Sequence, residues 1–129
     1  MFIGKFYHKL EQKGRLSIPK KFRDKGKDWV ISRGLDGCLF LTKYDDFEKE
    51  LTELSQGSLT NKSNRNLIRW LSHESEEVGF DKQGRVQLPE YLIKFGKLKK
   101  EVVVVGSFSR IEIWDLTTYH KLLDQNDKY

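Results

Sequence analysis

The chain has 129 residues, of which 33% are charged and 37% hydrophobic, and a formal net charge of +5 at pH 7. That length fits one domain or two fused half-size units, with a core modest enough that self-association would add stability. A single cysteine excludes an intrachain disulfide and a thiolate metal cluster, no apolar run approaches a bilayer span, and the basic balance favours a polyanionic partner.

A reducing, cytoplasmic setting is expected from the cysteine usage. The first ten residues carry Lys5, His8 and Lys9 among their apolar side chains, so they lack the core of a signal peptide. In chain order, a strand is predicted over 2–10, with Phe2, Phe6, His8 and Leu10 on one parity. A tight turn at Lys13-Gly14 comes next, then a strand with Leu16 and Ile18 on one face. Pro19 opens a short helix over 20–25. A strand pair over 29–33 and 38–42 turns at Gly34 and Gly37. Asp45 is placed to cap a helix, with Glu48 three residues on and Phe47, Leu51 and Leu54 in a stripe. After a loop at 55–58, a helix is predicted over 60–71, with Leu67, Ile68, Trp70 and Leu71 on its apolar side.

The succession then begins again. A short strand over 78–80, a turn at Gly84, Val86 and Leu88 on one face, Pro89 and a helix over 90–95 follow each other. A second strand pair, 102–105 and 110–114, turns around Gly106, and Asp115 caps a helix carrying Tyr119, Leu122 and Leu123. The polar tail 124–129 is expected to fray. Residues 13–19, Lys-Gly-Arg-Leu-Ser-Ile-Pro, match 83–89, Gln-Gly-Arg-Val-Gln-Leu-Pro, at an offset of 70, and the chain's two prolines fall at this matched place. Beyond it the offset is 72: Gly34 meets Gly106, Leu39 meets Ile111, Leu41 meets Ile113 and Phe47 meets Tyr119. The expected organisation is therefore a first unit over 1–55, a helical connection over 56–75, a second unit over 76–123 and a tail over 124–129.

Charge is unevenly spread. Residues 1–43 hold 11 basic and 4 acidic side chains, whereas residues 44–78 hold 4 basic and 8 acidic. That polarity suits one phosphate-facing side and one partner-facing side, although lysine-rich solvated loops alone would produce a similar count. The stretch Glu11-Gln12-Lys13-Gly14-Arg15 and its copy Asp81-Lys82-Gln83-Gly84-Arg85 share an acid, two polar residues, glycine and arginine. An acid four residues before an arginine is placed to pair with the guanidinium and fix its aim. An aimed guanidinium suits the N7 and O6 edge of guanine, and Lys13, Lys82 and Gln83 at the turn tips are placed for phosphates or base edges. Lys20, Lys21, Arg23, Lys25 and Lys27 would add sequence-independent phosphate contacts. The bland alternative is a surface ion pair of little energetic weight. It explains one arginine more easily than the same arrangement twice.

The phrase Asp-x-x-Gly-Arg-Val-x-Leu-Pro at 81–89 resembles the AbrB-like swapped-hairpin DNA-binding module, a group that includes the MazE-type antitoxins. Two copies on one chain resemble the MraZ family. So do the opening Met-Phe-Ile-Gly, the central Leu71-Ser72-His73, and the stretches 105–108 and 112–115. The resemblance runs from residue 1 to about 123. It implies an α+β, β-rich fold: two tandem swapped-hairpin, double-ψ-like units in a pseudo-twofold barrel with flanking helices. It also implies a nucleoid-associated transcriptional regulator, of a family tied to the division and cell-wall gene cluster. Members assemble into ring-like homo-oligomers and bind tandem repeats in double-stranded promoter DNA near their own gene. The site carried over is Lys13, Arg15, Lys82, Gln83, Arg85, Lys20 and Lys21, supported by Glu11, Gly14, Asp81 and Gly84. Glu11 departs from the aspartate of the family pattern, and its extra methylene would hold Arg15 less tightly.

Two rival readings remain. No catalytic residue, metal, cofactor or small-molecule substrate is expected: His8, His73 and His120 are far apart, and no phosphate-binding glycine loop is present. An antitoxin or interaction scaffold is the second rival. Such antitoxins carry one hairpin unit and a long toxin-binding tail, where this chain has a second unit. Trp29, Trp70, Trp114 and eight phenylalanines are many large apolar groups for this length, and suit either a core or subunit contacts.

Overall fold

A computed structural model describes residues 1–126. The elements run β1 (Phe2–Lys9), a tight turn at Gln12–Gly14, β2 (Arg15–Ser17), α1 (Lys20–Arg23), β3 (Trp29–Arg33), β4 (Leu39–Lys43), α2 (Tyr44–Ser55) and α3 (Lys62–His73). They continue with β5 (Ser75–Val78), β6 (Arg85–Gln87), α4 (Glu90–Phe95), β7 (Glu101–Phe108), β8 (Arg110–Asp115) and α5 (Leu116–Gln125). The fold is mixed α+β and rich in antiparallel strands. No helix among the described residues is long and apolar enough to cross a membrane.

The strands do not sort by sequence half. A six-stranded sheet has the order β1-β7-β8-β4-β3-β5, and β2 pairs with β6 in a separate two-stranded ladder. The leading strand of each repeat therefore pairs with the other repeat's hairpin: β1 lies along β7, and β5 along β3. Exchanging the repeats reverses the strand order and leaves it unchanged. Registers agree with that symmetry. Leu39 faces Ile113 and Leu41 faces Ile111, centred on Phe40 opposite Glu112. Arg15 faces Gln87 and Ser17 faces Arg85, centred on Leu16 opposite Val86.

This interleaving gives one main core shared by both repeats. Leu16, Ile18, Phe22, Trp29, Ile31 and Leu41 of the first repeat pack with Val86, Leu88, Leu92, Val104, Ile111 and Ile113 of the second, all buried. Each such side chain contributes about 1.5–3 kcal/mol of burial free energy. Neither repeat can collect that stabilisation without the other, so the two fold as a unit. On the opposite sheet face Cys38, Val103 and Trp114 pack with Tyr119 of α5. Trp29 and Trp114 are thus core residues, and Trp70 is half-buried on α3.

Local departures from expectation have local causes. Pro19 and Pro89 stand just before α1 and α4 with extended ψ, at the cap position and not inside the first turn. Lys43 occupies the cap position of α2, so Asp45 lies in its first turn and caps nothing with its side chain. Asp115 does cap α5, accepting from the Thr117 N–H at 3.2 Å. Asn61 caps α3. Gly106 lies within β7, and the turn falls at Phe108, whose φ is +64°. A Cβ at 106 would stand 2.6 Å from the Ile3 nitrogen, so this glycine serves the close approach of β1. The second leading strand ends at Val78, before Gly79 and Phe80. The tail predicted to fray is helical through Gln125, and 127–129 lie outside the described residues.

Candidate nucleic-acid interface

In the β2–β6 ladder, Leu16 and Val86 point inward and are fully buried. Strand alternation turns Arg15, Ser17, Arg85 and Gln87 to the outer face. Both motif arginines, 70 positions apart, thus share one small platform. Each is preceded by its tight turn, and the two turns share a backbone frame. Glu11 N–H donates to the Arg15 carbonyl at 2.8 Å, and Asp81 N–H to the Arg85 carbonyl at 3.0 Å. Ile18 N–H donates to Gly84 O at 3.1 Å, and Leu88 N–H to Gly14 O at 2.8 Å, which ties each turn to the other repeat. Gly14 and Gly84 have φ of +73° and +76°, a region that disfavours side chains.

The side chains break this symmetry. Asp81 accepts from the Gln83 and Arg85 backbone N–H groups, both at 2.9 Å, and from Arg85 Nε at 2.9 Å. Glu11 makes none of the equivalent contacts with its own turn. It accepts from Arg85 Nη1 at 2.9 Å and from the Ser17 hydroxyl at 3.4 Å. Arg85 is consequently held between two carboxylates, and Arg15 is in no ion pair among the described residues. The expectation that each acid steers its own arginine holds in the second motif and fails in the first. The physical reason is length: the glutamate carboxylate passes beyond its own turn and lands on the neighbouring guanidinium.

The titration tendencies follow these contacts. The Arg85 N–H holds the Asp81 carboxyl below its ordinary range, helped by the Arg85 guanidinium and the Gln83 N–H against a smaller opposing effect of burial. Glu11 and then Asp81 strengthen protonation of Arg85. Burial lowers His8, partly offset by Glu11.

The remaining sequence-predicted residues divide. Lys13, Lys82 and Gln83 are exposed at the turn tips. Lys13 adopts a left-handed conformation with φ of +64°, and its carbonyl accepts from the Gln87 side-chain amide. Lys20 and Lys27 are exposed. The Lys21 ammonium lies over the Phe6 and Phe22 rings at 5.3 and 5.6 Å, and that of Lys25 over Phe2 at 6.0 Å, so both charges face aromatic rings at the core edge. Arg23 donates through Nε to Ile18 O at 2.8 Å and packs over Gly84, where it braces the second turn. Sequence reasoning missed that role, and it missed Lys9 and Lys100, which line one concavity with Arg15. Their common positive charge was the available signal. Their proximity follows from β1 pairing with β7 across the whole chain. Among the described residues, no group of three or more His, Cys, Asp or Glu is placed to hold a metal ion.

Comparison with known proteins accounts for the doubled architecture. The family model described as "MraZ protein, putative antitoxin-like" matches twice, over residues 1–70 and 71–128. The transcriptional regulator MraZ of Pediococcus pentosaceus is 39% identical over 129 residues, covering 99% of this chain and 90% of that protein. On both grounds, the chain belongs to the MraZ family.

Proposed function

We propose that the protein is a sequence-specific regulator of transcription that binds tandem repeats in double-stranded promoter DNA, next to its own gene in a division and cell-wall gene cluster. The observation that carries this reading is the outer face of the β2–β6 ladder. There a half-exposed Arg15, with no carboxylate partner among the described residues, stands beside an Arg85 fixed by two. Lys13, Lys82 and Gln83 project from the adjoining turns, and Lys20 extends the basic surface. Arg15 is assigned the base edge and the lysines the phosphates. Lys21 is an exposed residue whose ammonium lies over the Phe6 and Phe22 rings, and it would have to swing off them to meet a phosphate. Gly14, Gly84, Asp81 and Glu11 support the turns. The units 1–55 and 76–123, joined by 56–75, would constitute a swapped-hairpin, double-ψ-like barrel with a pseudo-twofold axis through the ladder.

One platform offers few base contacts, so several chains must act together. Self-assembly into a ring-like homo-oligomer would give the avidity that tandem repeats exploit. The acidic helix α2, whose Asp45, Glu48 and Glu53 are in no ion pair among the described residues, would suit basic surface of a neighbour. Ile3, Tyr7 and Phe108 add exposed apolar area at the β1 edge. A cytoplasmic, nucleoid-associated location follows from this reading.

The test is footprinting on the DNA immediately upstream of the protein's own gene at two salt concentrations. Protection of evenly spaced repeats is expected, with affinity falling steeply as salt rises. Absence of protection at low salt, or affinity indifferent to salt, would overturn the reading. Co-purification of a small toxin would favour the antitoxin alternative.

A further inference from the structure

Beside the first turn lies a concavity of about 510 Å³ whose walls include Lys9, Gln12, Arg15 and Lys100. Lys9 ends β1 and Lys100 immediately precedes β7. The Leu10 N–H donates to the Lys100 carbonyl at 2.7 Å, so the backbone holds the two lysine positions together. Neither amine, nor the Arg15 guanidinium, is in an ion pair among the described residues. Glu101, the register partner of Lys9, forms none with it. The one acid in the wall, Glu11, is already engaged by Arg85, which also lines the concavity.

The repeat supplies an internal control. At the mirrored position the offsets of 70 and 72 place Gly79 where Lys9 stands and Asp28 where Lys100 stands. The second turn therefore has no lysine pair flanking its arginine. We propose that the Lys9–Arg15–Lys100 concavity seats a backbone phosphate of the DNA strand whose base Arg15 reads. The two lysines fix the strand against the first turn, and the second turn has no such seat. This rests on the DNA-binding reading and adds the chemistry that makes its two turns unequal. Three unneutralised cations around one recess concentrate field where a phosphodiester enters, whereas the mirrored place has a glycine, an aspartate and, where Gln12 stands, the single lysine Lys82.

The test uses the full chain, its own upstream DNA and a random duplex, titrated over a range of chloride concentrations. Lys9→Gln/Lys100→Gln is compared with the parent and with Lys62→Gln on α3 as a control. Both lysines of the pair are exposed, so an unchanged melting temperature is expected and is checked. The double variant is expected to bind both DNAs more weakly. Its slope of log affinity against log salt should be shallower by about 0.9 for each seated phosphate. Its ratio of specific to random affinity should match the parent's. A parent-like slope in the folded double variant overturns the seat while leaving the DNA-binding reading standing. A parent that binds neither DNA overturns that reading itself. Inorganic phosphate, added at matched ionic strength, distinguishes the other source of the same chemistry. If it binds the parent and not the double variant while the two bind DNA with the same affinity and salt slope, the recess is a free-phosphate site and the DNA assignment fails.

Discussion

The first and second turns share one backbone hydrogen-bond frame and have two electrostatic characters. Their carbonyl and N–H partners correspond bond for bond, and both glycines are left-handed. In the second, an aspartate stays within its turn, accepts two backbone N–H groups and grips its own arginine. In the first, a glutamate crosses to that same arginine, and Arg15 is in no ion pair among the described residues. One methylene in the acid and a left-handed Lys13, where Gln83 is not left-handed, separate the two arrangements. A duplicated scaffold can thus present one fixed, charge-compensated guanidinium and one free one, and the free one has the electrostatic reach a nucleic acid requires.

Breaking the two arginines separately should give the largest divergence. On the proposed reading, Arg15→Ala should remove a base contact of about 1–3 kcal/mol for each engaged platform, a loss of roughly 5- to 150-fold in specific affinity. Oligomer size by light scattering should not change. Arg85→Ala should lose less specificity and more thermal stability, because it leaves Glu11 and Asp81 facing each other without a cation. Gel-shift titrations beside melting curves decide the matter. Equal loss of specificity in both variants would show that compensation by two acids does not distinguish the arginines.

Alanine at the two glycines probes the shared backbone. Both substitutions place a side chain at positive φ, an effect of about 1–2 kcal/mol each. The surroundings then separate them. A Cβ at Gly14 would meet the Leu88 carbonyl oxygen and Ile93 Cδ1, both at 2.9 Å, and backbone cannot swing aside. At Gly84 the obstruction is the Arg23 guanidinium, with Cζ at 2.5 Å, and that flexible end can move at the expense of its bond to Ile18 O. Urea denaturation should therefore rank Gly14→Ala as the more destabilised. The reverse ranking would mean that the Arg23 brace matters more than the fixed carbonyl.

What the sequence disclosed and what it withheld divide by range. The strand–turn–strand–proline order was legible because Gly14, Gly84, Pro19 and Pro89 act on their own backbone. The alternation of strands and helices was legible from the same local signals and from the apolar stripes, while the α+β class was what the family resemblance implied. The partner of Glu11 was not legible, since it lies 74 positions away and is brought near only by the β2–β6 ladder. Lys9 and Lys100 were hidden for the same reason, because β1 pairs with the second hairpin instead of its own. Gly106 was misplaced because its constraint comes from β1 passing against it and not from a turn. Asp45 was misplaced because a good capping residue two positions past the true cap is indistinguishable from a cap in composition alone.

Shortening the first acid sharpens the comparison at its origin. In Glu11→Asp, the carboxylate should fall back within its own turn and accept from the Lys13 and Arg15 N–H groups, as Asp81 does from Gln83 and Arg85. The gain should be a fraction of a kcal/mol, in line with exposed turn hydrogen bonds. Amide hydrogen exchange gives the direct readout. In the parent, the Gln83 and Arg85 amides should exchange more slowly than those of Lys13 and Arg15, and in the variant that difference should narrow. Equal protection of the two pairs in the parent would remove the basis of the contrast.

The smallest effect concerns acid. The native Asp81 carboxyl lies below its ordinary range, chiefly because the Arg85 N–H bonds to the charged form. In the acid range the unfolded chain thus binds a proton at this position before the folded one does, so stability falls as pH falls. The contribution is complete above the ordinary carboxylate value and disappears as pH drops through the lowered native one. His8 acts in the same direction at higher pH: burial disfavours its charged form, so the unfolded chain takes that proton first as pH passes below the ordinary histidine value. Asp81→Asn keeps an oxygen acceptor for the turn and abolishes the titration. Urea midpoints across a pH series should show a flatter acid limb in this variant and an unchanged step in the histidine range. His8→Gln should flatten the histidine step alone. If Asp81→Asn reproduces the parent's acid limb, the grip of the second turn on its carboxylate is weaker than its three short contacts indicate, and the contrast with Glu11 loses its electrostatic half.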